Sequence, residues 1–236
     1  YTTLIKKRID MDNQEKPKDY SENPQEIINE SFDIIDNLVD FDKIPEAYRP
    51  IVRRVIHATG DTDYADNLII SPTAVEAAIK AIGAGKSIVT DVNMVKAGIS
   101  AKGIARFGGK IICRIADEDV AEKASKSGKT RAITAMQESL DDISDGIVVV
   151  GNAPTAVFSI IDLIRREEVK PALVVAVPVG FVKSSESKEA LKIFLDNKKD
   201  IQIPYIVNIG RKGGSAVAVS IVNALINITK ETQKQV

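Results

Sequence analysis

The stretch RRVIHATG (53–60) holds the only histidine, His57, of a chain of 236 residues with 32 Lys and Arg and 33 Asp and Glu. Imidazole is the one side chain whose unperturbed pKa allows proton exchange near neutral pH. A single histidine beside Arg53 and Arg54 is therefore a candidate general acid or base, although a lone histidine can equally be a packed structural residue. Cys113 is the only cysteine and lies in the apolar run GKIICRI. One histidine and one cysteine make a poor metal site, and no protein-bound metal or cofactor is expected. The cations are more suggestive. GRKGGS (210–215) places Arg211 and Lys212 just before Ser215 at a helix start, and KTRA (129–132) places Arg131 at another. Cations there oppose the helix dipole, so a ligand with several negative charges explains them better than stability does. TDVNMV (90–95) adds Thr90 and Asp91, and GNAPTA (151–156) adds Asn152, although Gly and Pro in such loops are often turn chemistry alone.

The elements that would position these groups follow from periodicity. Residues 1–23 read as a polar arm, and 24–236 as a single domain. PQEIINESFDIIDNLVDF gives one apolar helical face, and IVRRVIHATG gives a second helix closed by Gly60. From residue 72 apolar runs alternate with helices: SIVTD, GKIICRI, GIVVVGN, ALVVAVP and PYIVNIG are strands without polar alternation, as in a parallel sheet covered on both faces. TRAITAMQESLDDI reads as one amphipathic helix. The expected fold is α/β and doubly wound, with a mainly parallel five-stranded sheet, helices on both faces and an N-terminal helical annex over the first 70 residues. Ligands of such sheets bind beyond the carboxyl ends of the strands, where the loops above lie.

Composition excludes several classes. Net charge is −1 with no basic block, which argues against nucleic acid as a partner. No apolar run approaches the ~20 residues of a membrane span. An unpaired cysteine in an apolar run suits a reduced, cytoplasmic protein. GAGKS (83–87) resembles the end of a phosphate-binding loop. Its first glycine would have to fall at Lys80, however, and it runs from helix to strand rather than strand to helix.

Taken in order, ESF (30–32), RVIHATG (54–60), TDVNMV, TRA (130–132), GNAPTA, PVGFVKSSESK (178–188) and GRKGGSA (210–216) resemble the precorrin-8X methylmutase family of corrinoid biosynthesis. The resemblance spans residues 20 to about 228 and leaves the arm outside it. It implies an isomerase that moves a methyl group from C11 to C12 of precorrin-8X or cobalt-precorrin-8, giving hydrogenobyrinic or cobyrinic acid without a separate methyl donor. It further implies His57 as the acid, Ser31 and Arg131 in the substrate site, a tetrapyrrole polycarboxylate as partner, and a homodimer. Arg54, Thr90, Asp91, Asn152, Arg211, Lys212 and Ser215 are the further substrate-binding candidates. A 1,5-sigmatropic shift needs an electron sink, which protonation of a ring nitrogen supplies, so one acid suffices. Two other classes stay open at this point. A non-catalytic binder of polycarboxylate tetrapyrroles could use the same loops. A methyltransferase using S-adenosylmethionine should show a glycine-rich loop after its first strand, which TDVNMV does not.

Overall fold

Each of the five apolar runs is a strand in the computed structural model, and a sixth strand precedes them. The structure describes residues 21–198 and 201–234, so the polar arm lies outside the described residues up to residue 20. Two helices come first: α1 (Pro24–Leu38), with Pro24 at its start and the Asn23 side chain accepting from the Gln25 N–H, and α2 (Arg49–Thr59), closed by left-handed Gly60 at φ 65°. There follow α3 (Tyr64–Asn67), β1 (Leu68–Ile70), α4 (Ala74–Gly83), β2 (Ile88–Thr90), α5 (Asn93–Gly98), α6 (Ala101–Ala105) and β3 (Ile111–Ile112). Then come α7 (Glu118–Ser127), α8 (Arg131–Gln137), α9 (Leu140–Ile143), β4 (Ile147–Val150) and α10 (Pro154–Arg165). The chain closes with β5 (Leu173–Ala176), α11 (Ser184–Asn197), β6 (Tyr205–Asn208) and α12 (Ser215–Thr232).

The sheet order is β1-β6-β5-β4-β2-β3, parallel throughout except that β1 runs antiparallel to β6. The sheet is thus six-stranded and mixed, not five-stranded. β1 is three partly exposed residues at an edge, too short to register as an apolar run, and such short edges protect a sheet from further pairing. The helix read over TRAITAMQESLDDI is two, α8 and α9. The Ser139 hydroxyl bonds back to the Ala135 carbonyl where the first ends. Ser71 does not cap α4; its hydroxyl accepts from the Tyr205 N–H at the start of β6.

The period-2 geometry of the central strands divides the core in two. Ile147, Val149, Leu173, Val175 and Ile206 pack into one cluster with residues of α1, α2, α4 and α12. Val148, Val150, Val174, Ala176, Tyr205 and Val207 pack into the other with α8, α10 and α11. The N-terminal helices pack into the first of these layers, with Ile51, Val52, Val55 and Ile56 of α2 sharing the core with Val217, Ile221 and Leu225 of α12. None of the described helices is long and apolar enough to cross a membrane.

This topology fixes where the chemistry lies. The parallel strands send residues 91, 151, 177 and 209 out at one end of the sheet. Because β1 is antiparallel, residues 60–67 enter at that same end, where the Ile209 N–H bonds to the Asn67 carbonyl at 2.9 Å. The turn that follows α2 thereby meets the loop after β6.

Candidate active site

His57 lies in the last turn of α2 and is exposed to solvent. Its Nδ1 is 2.7 Å from the Ser31 hydroxyl of α1, and the Phe32 ring meets the imidazole edge-on at 5.4 Å and 74°. These contacts require α1 and α2 to hold a fixed register. Arg53 supplies it, donating through Nε and a terminal nitrogen to both oxygens of Asp36 at 2.7 and 2.9 Å, with its guanidinium 4.9 Å from the centre of the Phe41 ring. Bidentate guanidinium–carboxylate pairs impose direction as well as attraction. The Ser31 contact engages Nδ1 and leaves Nε2 as the ring nitrogen free for proton transfer. When the ring is charged, Nδ1–H donates to the serine oxygen.

Ser31 and His57 line a cleft of 390 Å³ between the two helices, walled by Ile27, Ile34, Leu38 and Ile56, with Thr62 at one end. Ile34 and Leu38 are 54% and 66% exposed, so the cleft offers an apolar wall beside one titratable ring. That combination suits a large flat ligand whose centre must be protonated.

The other sequence candidates fall into three groups. Arg54, three residues before His57 on α2, is half-buried, and Arg131 opens α8 exposed; neither has an ion-pair partner among the described residues. Arg211 is exposed with its guanidinium 5.0 Å from the Phe181 ring centre, a stacking contact that leaves its donors open to an anion. Asn152 is exposed in the loop after β4, and Ser215, half-buried, begins α12. The two loops touch: a side chain on Gly151 would meet the Ser215 backbone at 3.1 Å and Val95 at 2.7 Å. Thr130 of the α8 cap donates to the Thr155 hydroxyl at 3.2 Å, which holds Arg131 beside the same loop.

Lys212 forms the second group, because its ammonium is already committed. It donates to Asp61 at 2.6 Å and Asp63 at 2.5 Å; the two carboxylates hold its amine above the ordinary lysine value, and the bond from Lys212 holds Asp61 below the ordinary carboxylate value. It latches the loop after β6 to the turn following α2. Thr90 and Asp91 form the third group and are wholly buried. Thr90 donates to the Ile112 carbonyl at 3.2 Å, and Asp91 accepts from the N–H groups of Gly151, Asn152 and Ala153. They support the loop after β4 from below, and both side chains have internal hydrogen-bond partners.

Two features escaped the sequence reading. Asp61 and Asp63 look like surface charges of a turn until the fold brings residue 212 to them. Lys188 is a fully buried lysine, and a signal for it existed: Ser184, Lys188, Leu191 and Leu195 recur at helical spacing along one inward stripe.

Comparison with known proteins shows the family. The family model for precorrin-8X methylmutase matches residues 26–228. The chain is 43% identical over 207 residues to the cobalt-precorrin-8 methylmutase of Leptospira interrogans, covering 87% of this chain and 94% of that one. It is 37% identical to the precorrin-8X methylmutase of Pseudomonas aeruginosa, covering 88% and 97%. A crystal structure of precorrin-8X methyl mutase from Thermus thermophilus superposes with a TM-score of 0.79 at 36% identity, covering 88% of this chain and 97% of the other.

Proposed function

Because the chain belongs to the precorrin-8X methylmutase family, we propose that it catalyses the C11-to-C12 methyl shift of precorrin-8X or cobalt-precorrin-8 with His57 as the acid. The observation that carries this reading is the Ser31–His57 contact at the lip of an apolar cleft. Nε2–H of the imidazolium delivers its proton to the macrocycle, the conjugated ring accepts electron density, and the methyl group migrates between adjacent carbons. The proton then returns to Nε2, so enzyme and ligand end with the composition they began with. No nucleophile forms a bond to the ligand. Arg54, Arg131 and Arg211 serve the peripheral carboxylates, as their open donors and their place around one end of the sheet support. Incubation of the purified protein with either substrate and no added cofactor tests the reading. An isomeric product of unchanged mass with the hydrogenobyrinate or cobyrinate spectrum is expected, and a spectral shift without isomerisation would leave only a binding protein.

Ser31 orients the ring that transfers the proton. Ser31→Ala should lower kcat by about tenfold, since a hydrogen bond from the charged imidazolium contributes ~1.5 kcal/mol or somewhat more. An unchanged kcat would show that packing against Phe32 suffices to orient His57.

Arg131→Ala and Arg211→Ala should each weaken product binding by ~1.5–3 kcal/mol at low salt, the range for a hydrogen bond to a charged group. Titration of the product by absorbance reads this directly, and affinities unchanged from the wild type in both variants would remove these arginines from the site. The same reading includes a homodimer, for which light scattering should return twice the 25.6 kDa of one chain.

A further inference from the structure

Lys188 of α11 is 2% exposed, and its ammonium has no carboxylate within ion-pair distance among the described residues. Its three partners are neutral oxygens: the Pro178 carbonyl at 3.1 Å, Asn208 Oδ1 at 3.3 Å and the Lys212 carbonyl at 2.7 Å. A charge buried without a counter-charge is costly, so stability alone is a poor reason for a lysine here. Its location suggests another. Pro178 follows β5, Asn208 ends β6, and Lys212 follows β6. The two post-strand loops are also joined directly, with the Gly214 N–H donating to the Val177 carbonyl at 2.8 Å and the Gly180 N–H to the Arg211 carbonyl at 3.2 Å. Gly213, at φ 145°, leaves no room for a side chain, since a Cβ would stand 2.3 Å from the Val177 carbonyl oxygen. Lys188 is the pin beneath this seam. Above it sit Phe181 and Arg211, stacked on each other, and from it Lys212 reaches to the turn that follows the His57 helix.

We infer that Lys188 is a positioning residue for substrate binding, its ammonium tying the loops after β5 and β6 into one rim that presents Arg211 to the carboxylates of the macrocycle. This rests on the methylmutase reading and deepens it. The negative ligand supplies from outside the counter-charge that the fold leaves out. Burial pushes the Lys188 amine down to about 8, so its charge is lost just above neutrality. Among the charged groups around it, Lys183 pairs with Glu186, Lys192 with Asp196 and Lys212 with Asp61 and Asp63, while Glu189 borders the small cavity beside it. The strands beneath contribute Ile69, Val207 and Asn208, which do not titrate.

Lys188→Met keeps the stem and removes the charge. It should fold, because both carbonyls retain a second donor: the Ser184 hydroxyl to Pro178 at 2.6 Å and Asn208 Nδ2 to Lys212 at 2.7 Å. With either substrate, KM should rise about tenfold or more while kcat stays within about threefold, and the thermal midpoint should stay at or above that of the wild type. Hydrogenobyrinate affinity of the wild type should weaken several-fold as pH rises through about 8, a dependence absent from Lys188→Met. An unchanged KM in the folded variant would overturn the inference, as would a flat wild-type affinity between about pH 7 and 9.5. The second measurement decides the matter even if the variant does not fold. Absence of turnover by the wild type is a different failure and overturns the methylmutase reading itself.

Discussion

His57→Ala is expected to lose ~10²–10⁴-fold in kcat while binding product within a few-fold of the wild type, the range for removal of a positioned general acid. The large effect follows from uniqueness. The chain has no second imidazole, and the Ser31 and Phe32 contacts fix this ring beside the cleft. Retained binding follows from the division of labour, because the open cations lie on α8 and the loop after β6, not on the imidazole. His57 is exposed at the end of a helix, so its truncation should change folding stability by no more than ~0.5 kcal/mol, which separates a chemical loss from a structural one. Single-turnover conversion with enzyme in excess measures the step. If the alanine variant kept more than about a tenth of the rate, the proton would come from elsewhere. Glu30, which also borders the cleft, would be the group to replace next.

The sequence made the strands and the single histidine legible for the same reason. Both are statements about residue type at a position, and fully buried parallel strands such as IVVV and LVVA carry their burial in composition alone. What could not be read depends on which residues meet across long stretches of chain. β1 exists because three ordinary residues find β6, 136 to 140 positions away in the paired register. Lys212 read as a free cation because nothing local shows that Asp61 and Asp63, about 150 residues earlier, arrive beside it. Ser31 is brought to His57 by the Arg53–Asp36 pair and the packing of α1 on α2, neither of which has a local signature. Charge near a helix start therefore marks an end of the sheet, but not which charges there are left without ion-pair partners.

Asp91 shows the same limit most sharply, and its replacement should have the largest effect on stability. Asp91→Ala is expected to cost about 3–5 kcal/mol of unfolding free energy, the range for removing one side of a buried charged network. The carboxylate is completely buried and accepts from the N–H groups of Gly151 at 2.9 Å, Asn152 at 2.8 Å and Ala153 at 2.7 Å. These donors lead into α10, whose N-cap Ala153 has no side chain able to accept and whose first residue, Pro154, has no N–H to offer. Asp91 thus acts as a cap supplied from the neighbouring strand, and its charge faces the positive end of the helix dipole. Burial pushes its pKa up and the three donors oppose that shift. Removing the carboxylate strands those donors away from water. Asp91→Asn preserves shape but turns an amide N–H₂ toward N–H groups, so it should lose roughly half as much. Urea unfolding of the two variants gives the order directly. A loss below ~1 kcal/mol for alanine would mean that the loop satisfies its donors in another way. Stability retained together with abolished product binding in Asp91→Asn would return Asp91 to the role its place after a strand first suggested, a direct substrate contact. Because Thr155, in the first turn of α10 that this loop leads into, accepts the bond that steadies the start of α8, the asparagine variant should instead raise KM through a loosened Arg131 and leave kcat nearly intact.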